Sequence, residues 1–493
     1  MQTLPAIDIA VLAVYLVAVV GLGVWFARTN RTTNDFMAAG GSLPGWAVGL
    51  SIFGTYLSSN TFIGVPGKAY AGNWNGFVFS LSLPLAAWVA VKWFVPFYRK
   101  SGEISAYHHL EKRFGPWART YALVCYLLTQ LARVGTILFG VSLGLSALTG
   151  WSLPGVIIVS GLAVTVYTLL GGIVAVIWTD VIQSIVLLIG AVVIAVLLLV
   201  NHPGGAGEAM QVAAGGNKFS LGSFSIDFTQ STFWVVLIYG IFINLNNFGI
   251  DQSFVQRYHT ARDDQAAARS VWIGALLYVP VAALFFFIGS MLFSYYEASP
   301  ALLAELKAAH PEGYADQVLP HFIATQLPTG VAGLLIAAIF AAAMSSIDTS
   351  LNSSATVTLK DFMQRFFRRG ENDKDALRIL RASTLVWGIL GTGVALAMMG
   401  QKSLLDAWWK LSGIFAGGML GLFLLGLIAR TANNAGAVTG VILGVLIIFW
   451  MTLADYFPEE FRSPFHANMI IVVGTLTIFL TGIGISRWRS SGD

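Results

Sequence analysis

Residues 54–67, GTYLSSNTFIGVPG, sit inside an apolar run and are nonetheless unfit for an uninterrupted membrane helix. Gly54, Thr55, Ser58, Ser59, Asn60, Thr61, Gly64 and Pro66 crowd hydroxyls and helix breakers into one short stretch. A hydrocarbon core offers no water to unpaired backbone, so broken helices are tolerated there only where they line a protein cavity. The segment is therefore expected to unwind at membrane depth and turn carbonyls and hydroxyls toward something polar. Two readings compete: close-packing residues between membrane helices, or an ion and solute site.

The rest of the chain supplies the membrane. Of its 493 residues 56% are hydrophobic and 11% charged, with mean hydropathy +0.74, which excludes an ordinary soluble domain. Apolar runs of about 20 residues recur, the length at which a helix spans a bilayer, without the alternation of a barrel strand. The chain reads as an all-α polytopic membrane protein with thirteen transmembrane segments: 6–26, 46–65, 76–98, 120–148, 154–172, 178–200, 232–254, 270–295, 329–357, 380–400, 407–429, 435–454 and 467–486. The first run has no basic flank before it and no small-residue cleavage site after it, so it reads as a retained helix. The single Cys125 forms no intrachain disulfide, and the scattered histidines, His108 and His109 included, offer no metal spacing.

With the N-terminus outside, 20 of the 28 basic residues fall in inner loops and the tail, among them Arg28, Arg31, Arg119, Arg257, Arg365 and Arg430. Lys68, Lys218, Lys307, Lys402, Lys410 and Arg462 then lie outside, and Lys92 and Arg133 lie within the membrane. Basic residues mark cytoplasmic loops, so the N-terminus is placed outside and the C-terminus in the cytoplasm. The net charge of +4 needs no nucleic acid to explain it. The outer loops 201–231 and 296–328 are long, and PALLAELKAAH in the second is expected to form a short helix. The inner stretch 361–375, DFMQRFFRRGENDKD, is expected against anionic lipid.

A second interruption is expected at 239–251, YGIFINLNNFGID, where Asn244, Asn246, Asn247 and Gly249 stand in the seventh run. It begins five segments after the first. Five is odd, so segments 2–6 and 7–11 run in opposite senses, the pattern of inverted repeats with discontinuous helices at matching places. The expected layout is one transporter domain over 1–493: an extra first helix (1–45), repeat one (46–200), repeat two (232–430) and two added C-terminal helices (431–493).

Segment 9 ends in SSIDTSLNSS. Ser345, Asp348, Thr349 and Asn352 fall at i, i+3, i+4 and i+7 and share a helical face, with Ser346 adjacent. Such an oxygen surface suits a hard cation, and sodium is the natural guest; the alternative is a helix-packing stripe, against which the intramembrane Asp348 speaks. Asp180, in WTDVIQ, lies in the same inner half and is placed to share an ion, or else is an N-terminal acid favoured by the helix dipole. Arg133 is ~14 residues, roughly 20 Å, from the inner end of segment 4. It either ties helices together or grips an anionic group of the solute.

GTYLSSNTF, GGIVAVIWTDVIQ, FGIDQSFVQRY and IFAAAMSSIDTSLNSSATV, over thirteen segments, resemble the sodium:solute symporters, and within them the bacterial sodium/sialic acid branch. The resemblance implies a LeuT-like 5+5 inverted-repeat fold and alternating access. It implies a sodium site on the carbonyls of Gly54, Leu57 and Ala342 and the hydroxyls of Ser345 and Ser346. It implies a second sodium site on Asp180, Ser345, Asp348 and Thr349, with Asp348 standing where that branch has serine. The solute pocket it implies is Tyr56, Ser58, Thr61, Ser80, Arg133 and Phe242, Tyr56 replacing a threonine and Ser80 a glutamine; Asn246 is added to this set as a binding residue.

The expected function is thus a sodium-coupled symporter of the inner membrane, acting as a monomer on a small solute, with sodium as coupling ion and no other cofactor. An acidic sugar such as sialic acid is the first choice of solute and a neutral sugar or polyol the second. An ion channel would want a continuous polar pore, and a membrane enzyme a nucleophile with its base or a metal cluster.

Overall fold

The computed structural model describes residues 5–27, 32–58, 60–311, 313–400 and 404–490. Ser59, Arg28, Arg31 and Lys402, all used above, lie outside the described residues. The described chain is all-helical apart from one isolated bridge between Leu43 and Ala261. Ten of the described helices are long and apolar enough to cross a membrane.

The break at 54–67 forms as the side chains dictate. The Gly45–Tyr56 helix ends at Leu57, whose backbone is extended (φ −90°, ψ 126°). The chain re-enters a wide helical turn over Asn60–Gly64 and continues as Val65–Ala71, with Pro66 in the first turn, where its missing N–H costs nothing. The close-packing reading holds as well. A methyl group added at Gly54 would come within 2.9 Å of Ser184 Oγ, so this half of the broken helix lies directly on the helix that carries Asp180.

Segments 5 and 6 are two helices within Leu153–Val200, divided at Gly172 (φ 57°, ψ −172°). The expected gap to residue 178 is absent because the break between them is made by one positive-φ glycine. Asp180 therefore lies about two turns inside its helix and is no N-terminal acid.

The seventh run differs from expectation in the same way. Phe233–Ile250 is one continuous helix through Asn244, Asn246 and Asn247, and the break comes at Asp251 (φ −72°, ψ 119°), before Gln252–Thr260. Asparagines unwind a helix when their side chains compete for its backbone. Here Asn244 Nδ2 donates to Ser82 Oγ (2.9 Å) on a neighbouring helix, while Asp251 accepts the N–H of Ser253 (2.8 Å) and caps the new helix.

The striped helix, Val331–Val357, is central. In the apolar window of Val331–Phe367, 89% is buried, against 33% for Asp373–Ala397. Its N-terminus is held by the first helix, Ala6–Ala27: Asp8 Oδ1 accepts the N–H groups of Gly330 and Gly333, both at 2.7 Å. A carboxylate at that end also favours the helix dipole.

The stretch 361–375, expected on lipid, is partly internal. Asp361 is fully buried and accepts from Arg119 Nε (2.5 Å) and Ser105 Oγ (2.6 Å), and Arg365 reaches Glu111 (3.0 Å). Phe366 and Phe367 remain exposed. His109 is packed among Phe97, Tyr98 and Phe423, and burial pushes its imidazole down to about 4, which keeps it neutral. Of the two long loops, 296–328 contains the expected helix at Pro300–Ala309, and 201–231 contains one that was not expected, Gly205–Gly215.

Candidate ion and solute site

The break in the second segment meets the striped helix through the oxygens singled out above. Ser345 Oγ reaches the carbonyls of Gly54 (3.2 Å) and Ala342 (3.1 Å), and Ser346 Oγ donates to the Leu57 carbonyl (2.9 Å). Gly54, Leu57, Ala342, Ser345 and Ser346 are thus one cluster, and each is buried. Unwinding at Leu57 frees carbonyls that a continuous helix would have consumed, and two serine hydroxyls take them. Three carbonyls and two hydroxyls form an all-oxygen, uncharged set, the donor chemistry that a hard monovalent cation takes. These residues fit sodium.

The second group is assembled differently. Arg257, counted above with the inner loops, is wholly buried. Its Nη2 donates to Asp180 Oδ2 (3.0 Å) and to Thr349 Oγ1 (2.7 Å), its Nε to Ser51 Oγ (2.9 Å), and its Nη1 to the Ser253 carbonyl (2.6 Å). Ser51 also donates to Asp180 Oδ2. Asp180 and Thr349 therefore meet through a guanidinium. Asp348 lies on the flank of the stripe and accepts the Thr349 N–H (2.6 Å). Further along the stripe, Asn352 and Thr356 accept from Gln256 (3.1 and 3.3 Å), so the Gln252–Thr260 helix covers the C-terminal half of the oxygen face.

Beside the break lies a cavity. Tyr56, Ser58, Thr61, Ser80, Arg133 and Asn246 line it, all named from sequence. Phe242 does not; it packs in the adjoining apolar cluster with Tyr239 and Ile243, which take the wall in its place. Sequence reasoning missed Asn60, Asp251, Tyr278, Trp408 and Trp409 as lining residues. Trp409 stacks on Phe79 (5.9 Å) and meets Tyr239 (5.3 Å), closing one side with aromatic rings.

Arg133 acts as a helix tie and also faces the cavity. Its Nη2 donates to the Thr55 carbonyl, one of the orphaned acceptors at the end of Gly45–Tyr56, and the residue also lines the cavity. Asp251 faces the same cavity, so a carboxylate and a guanidinium share it. Gln130 Nε2 donates to Asp251 (3.3 Å). Two further acceptors, Asn60 Oδ1 and Asn246 Oδ1, are buried with no hydrogen-bond partner among the described residues.

A broken helix whose freed carbonyls lie on serine hydroxyls, beside a polar cavity, is the arrangement of an ion-coupled carrier. The profile of the sodium:solute symporter family matches residues 36–444. The chain belongs to that family. Among relatives of this symporter, the sodium/sialic acid symporter NanT of Aliivibrio fischeri is 35% identical over 97% of this chain and 94% of its own. The sodium/sialic acid symporter SiaT of Proteus mirabilis is 35% identical over 96% of this chain and 94% of its own. The structure of a Na+-coupled sialic acid symporter in a substrate-bound outward-open state superposes with a TM-score of 0.89, at 33% identity and 98% coverage of both chains. The symporter is a transporter and no enzyme, and sodium is its coupling ion.

Proposed function

We propose that this symporter imports an acidic sugar, sialic acid being the first choice, together with sodium. The balance of groups in the cavity carries the reading. Arg133 supplies a fixed cation, while the carboxylate of Asp251 and the orphaned oxygens of Asn60 and Asn246 accept hydrogen bonds. An anionic group answers the first and several hydroxyl or amide donors answer the others, a combination found in a polyhydroxylated acid. The names of NanT and SiaT support the same class. A neutral sugar or polyol is the second reading, favoured by Asp251, whose charge already offsets that of Arg133 inside the cavity.

The same proposal gives the chain one transporter domain. To the ten long helices it adds the shorter apolar helices Ala6–Val19 and Leu153–Val166 and the broken helix, which together make thirteen crossings. Discontinuities at Leu57 and at Asp251 support repeats over 46–200 and 232–430 in opposite senses. The basic inner loops support an external N-terminus and a cytoplasmic C-terminus in the inner membrane, and each site is complete within one chain, which supports a monomer. The first sodium is held by Gly54, Leu57, Ala342, Ser345 and Ser346, and a second is drawn to Asp180, Ser345, Asp348 and Thr349.

A melting-temperature screen of sugar acids, neutral sugars, polyols and amino acids, with and without sodium, tests the solute class. A sugar acid is expected to give the largest sodium-dependent rise. Asp251→Asn, which keeps the helix cap, is expected to tighten its binding several-fold by removing a repelling charge. A neutral sugar that stabilises the protein more than every sugar acid does overturns the first reading.

A further inference from the structure

Of the four residues assigned to the second ion position, two are held by one buried guanidinium. Arg257 Nη2 bonds Asp180 Oδ2 and Thr349 Oγ1 at 3.0 and 2.7 Å, and the arginine side chain is 1% exposed. A guanidinium has five donors and no acceptor, so it cannot ligate sodium and blocks the lone pairs it occupies. Asp180 Oδ1 is buried with no hydrogen-bond partner among the described residues, so one carboxylate oxygen stays open.

We propose that Arg257 is a tethered cation that competes with sodium at the second ion position, so that loading this position releases the Gln252–Thr260 helix from Asp180 and Thr349. The proposal rests on the reading of Asp180 and Thr349 as ion ligands. Its physical basis is charge conservation in a buried place. An unpaired carboxylate is costly there, so Asp180 keeps a cation at all times. Sodium and guanidinium both in contact with it would repel each other at short range. Exchanging one for the other keeps one cation on Asp180, while the displaced guanidinium retains its bond to the Ser253 carbonyl on its own helix. Sodium lands on the open Oδ1, and the guanidinium then yields Oδ2 and Thr349 Oγ1.

The exchange has mechanical reach because of where Arg257 sits. Its helix begins at Asp251, the extended residue that interrupts the seventh segment and also lines the solute cavity. Through Arg257 this short helix is tied to Ser51 on the first half of the broken helix, to Asp180 and to the striped helix. Gln256 adds bonds to the Met37 carbonyl (2.6 Å), Asn352 and Thr356. Loss of the Arg257 contacts frees this helix from Ser51, Asp180 and Thr349, while Gln252 keeps its bonds to Ile104 and Ala106, Ser253 those to Tyr126 and Ser353, and Gln256 its own. The second ion thereby acts on an element that reaches from the solute cavity to the inner face.

Sodium titrations of the purified full-length protein without solute, followed by melting temperature at constant ionic strength with choline, test this. Arg257→Gln removes the competing charge and retains an amide donor; sodium binding is expected to tighten roughly tenfold. Ser51→Ala, which removes one guanidinium bond and the hydroxyl that occupies Asp180 Oδ2 while leaving every proposed ion ligand in place, is expected to tighten it two- to threefold, and it keeps the test decisive if Arg257→Gln fails to fold. Sodium binding that is unchanged or weaker in folded Arg257→Gln, or in Ser51→Ala where only that variant folds, overturns the competition. Asp180→Asn separates this failure from that of the underlying reading. It is expected to lower the steepness of the sodium titration and to cancel the gain in Arg257→Gln; a titration identical to wild type in Asp180→Asn alone shows that the second position does not bind sodium, and the proposal falls with it.

Discussion

Arg133→Ala is expected to weaken binding of a sugar acid roughly ten- to hundredfold, the loss that follows from deleting a hydrogen-bonded charge worth about 1.5–3 kcal/mol. The residue has two duties, and the design of the experiment has to separate them. It supplies the cation of the cavity, and it holds the Thr55 carbonyl at the end of the broken helix. Arg133→Lys keeps a charge and a donor for that carbonyl but loses the planar fork that matches a carboxylate. It is expected to melt near the wild-type temperature and to bind the sugar acid with an affinity between those of the wild type and Arg133→Ala. Calorimetry on both variants, with sodium titrated separately, reads the two duties independently. Retained sugar-acid affinity in Arg133→Ala shows that the arginine is a helix tie and that the anionic group binds elsewhere.

Ser346→Ala is expected to raise the sodium concentration for half-maximal transport by about tenfold or more while solute affinity at saturating sodium changes little. The hydroxyl lies on the Leu57 carbonyl at 2.9 Å and is one of five oxygens available to the ion. Losing a ligand to a cation removes an interaction of the charge-assisted kind, about 1.5–3 kcal/mol. Alanine also leaves the Leu57 carbonyl buried without its hydrogen bond, so the variant is expected to melt a few degrees lower in the absence of sodium. Sodium activation unchanged in a folded Ser346→Ala removes this hydroxyl from the ion site.

The first broken helix and the oxygen stripe were legible because membrane sequences are under strong constraint. Glycines, hydroxyls and a proline inside an apolar run have few explanations, and the break appears at Leu57, within the stretch that carries them. The family resemblance put Tyr56, Ser58, Thr61 and Arg133 in one pocket, and all four line one cavity. What remained hidden depends on partners distant in sequence. Asn244 leaves its helix intact because Ser82 receives its side chain, and no local pattern announces that bond. Arg257 follows a helix break and precedes a charged turn, which is how a cytoplasmic loop reads. Its burial becomes visible only when Asp180, Ser51 and Thr349 converge on it from three other elements. The signal available was the polar run DQSFVQR directly after a membrane segment, too polar for lipid and too regular for a loop. The aromatic wall of Trp408 and Trp409 comes from the eleventh segment, whose place beside the cavity is a matter of packing.

Coupling is the central claim. One elementary charge crossing a potential of 100 mV releases ~2.3 kcal/mol, enough for each sodium to drive substantial accumulation. Uptake of labelled sialic acid into proteoliposomes of the purified protein tests it most directly, with an inward sodium gradient compared against equal gradients of potassium or choline. The account predicts accumulation above the equilibrium level with sodium alone, enhanced by an inside-negative potential. Equal accumulation in all three salts, or sodium-driven uptake of a neutral sugar with none of the acid, would contradict it.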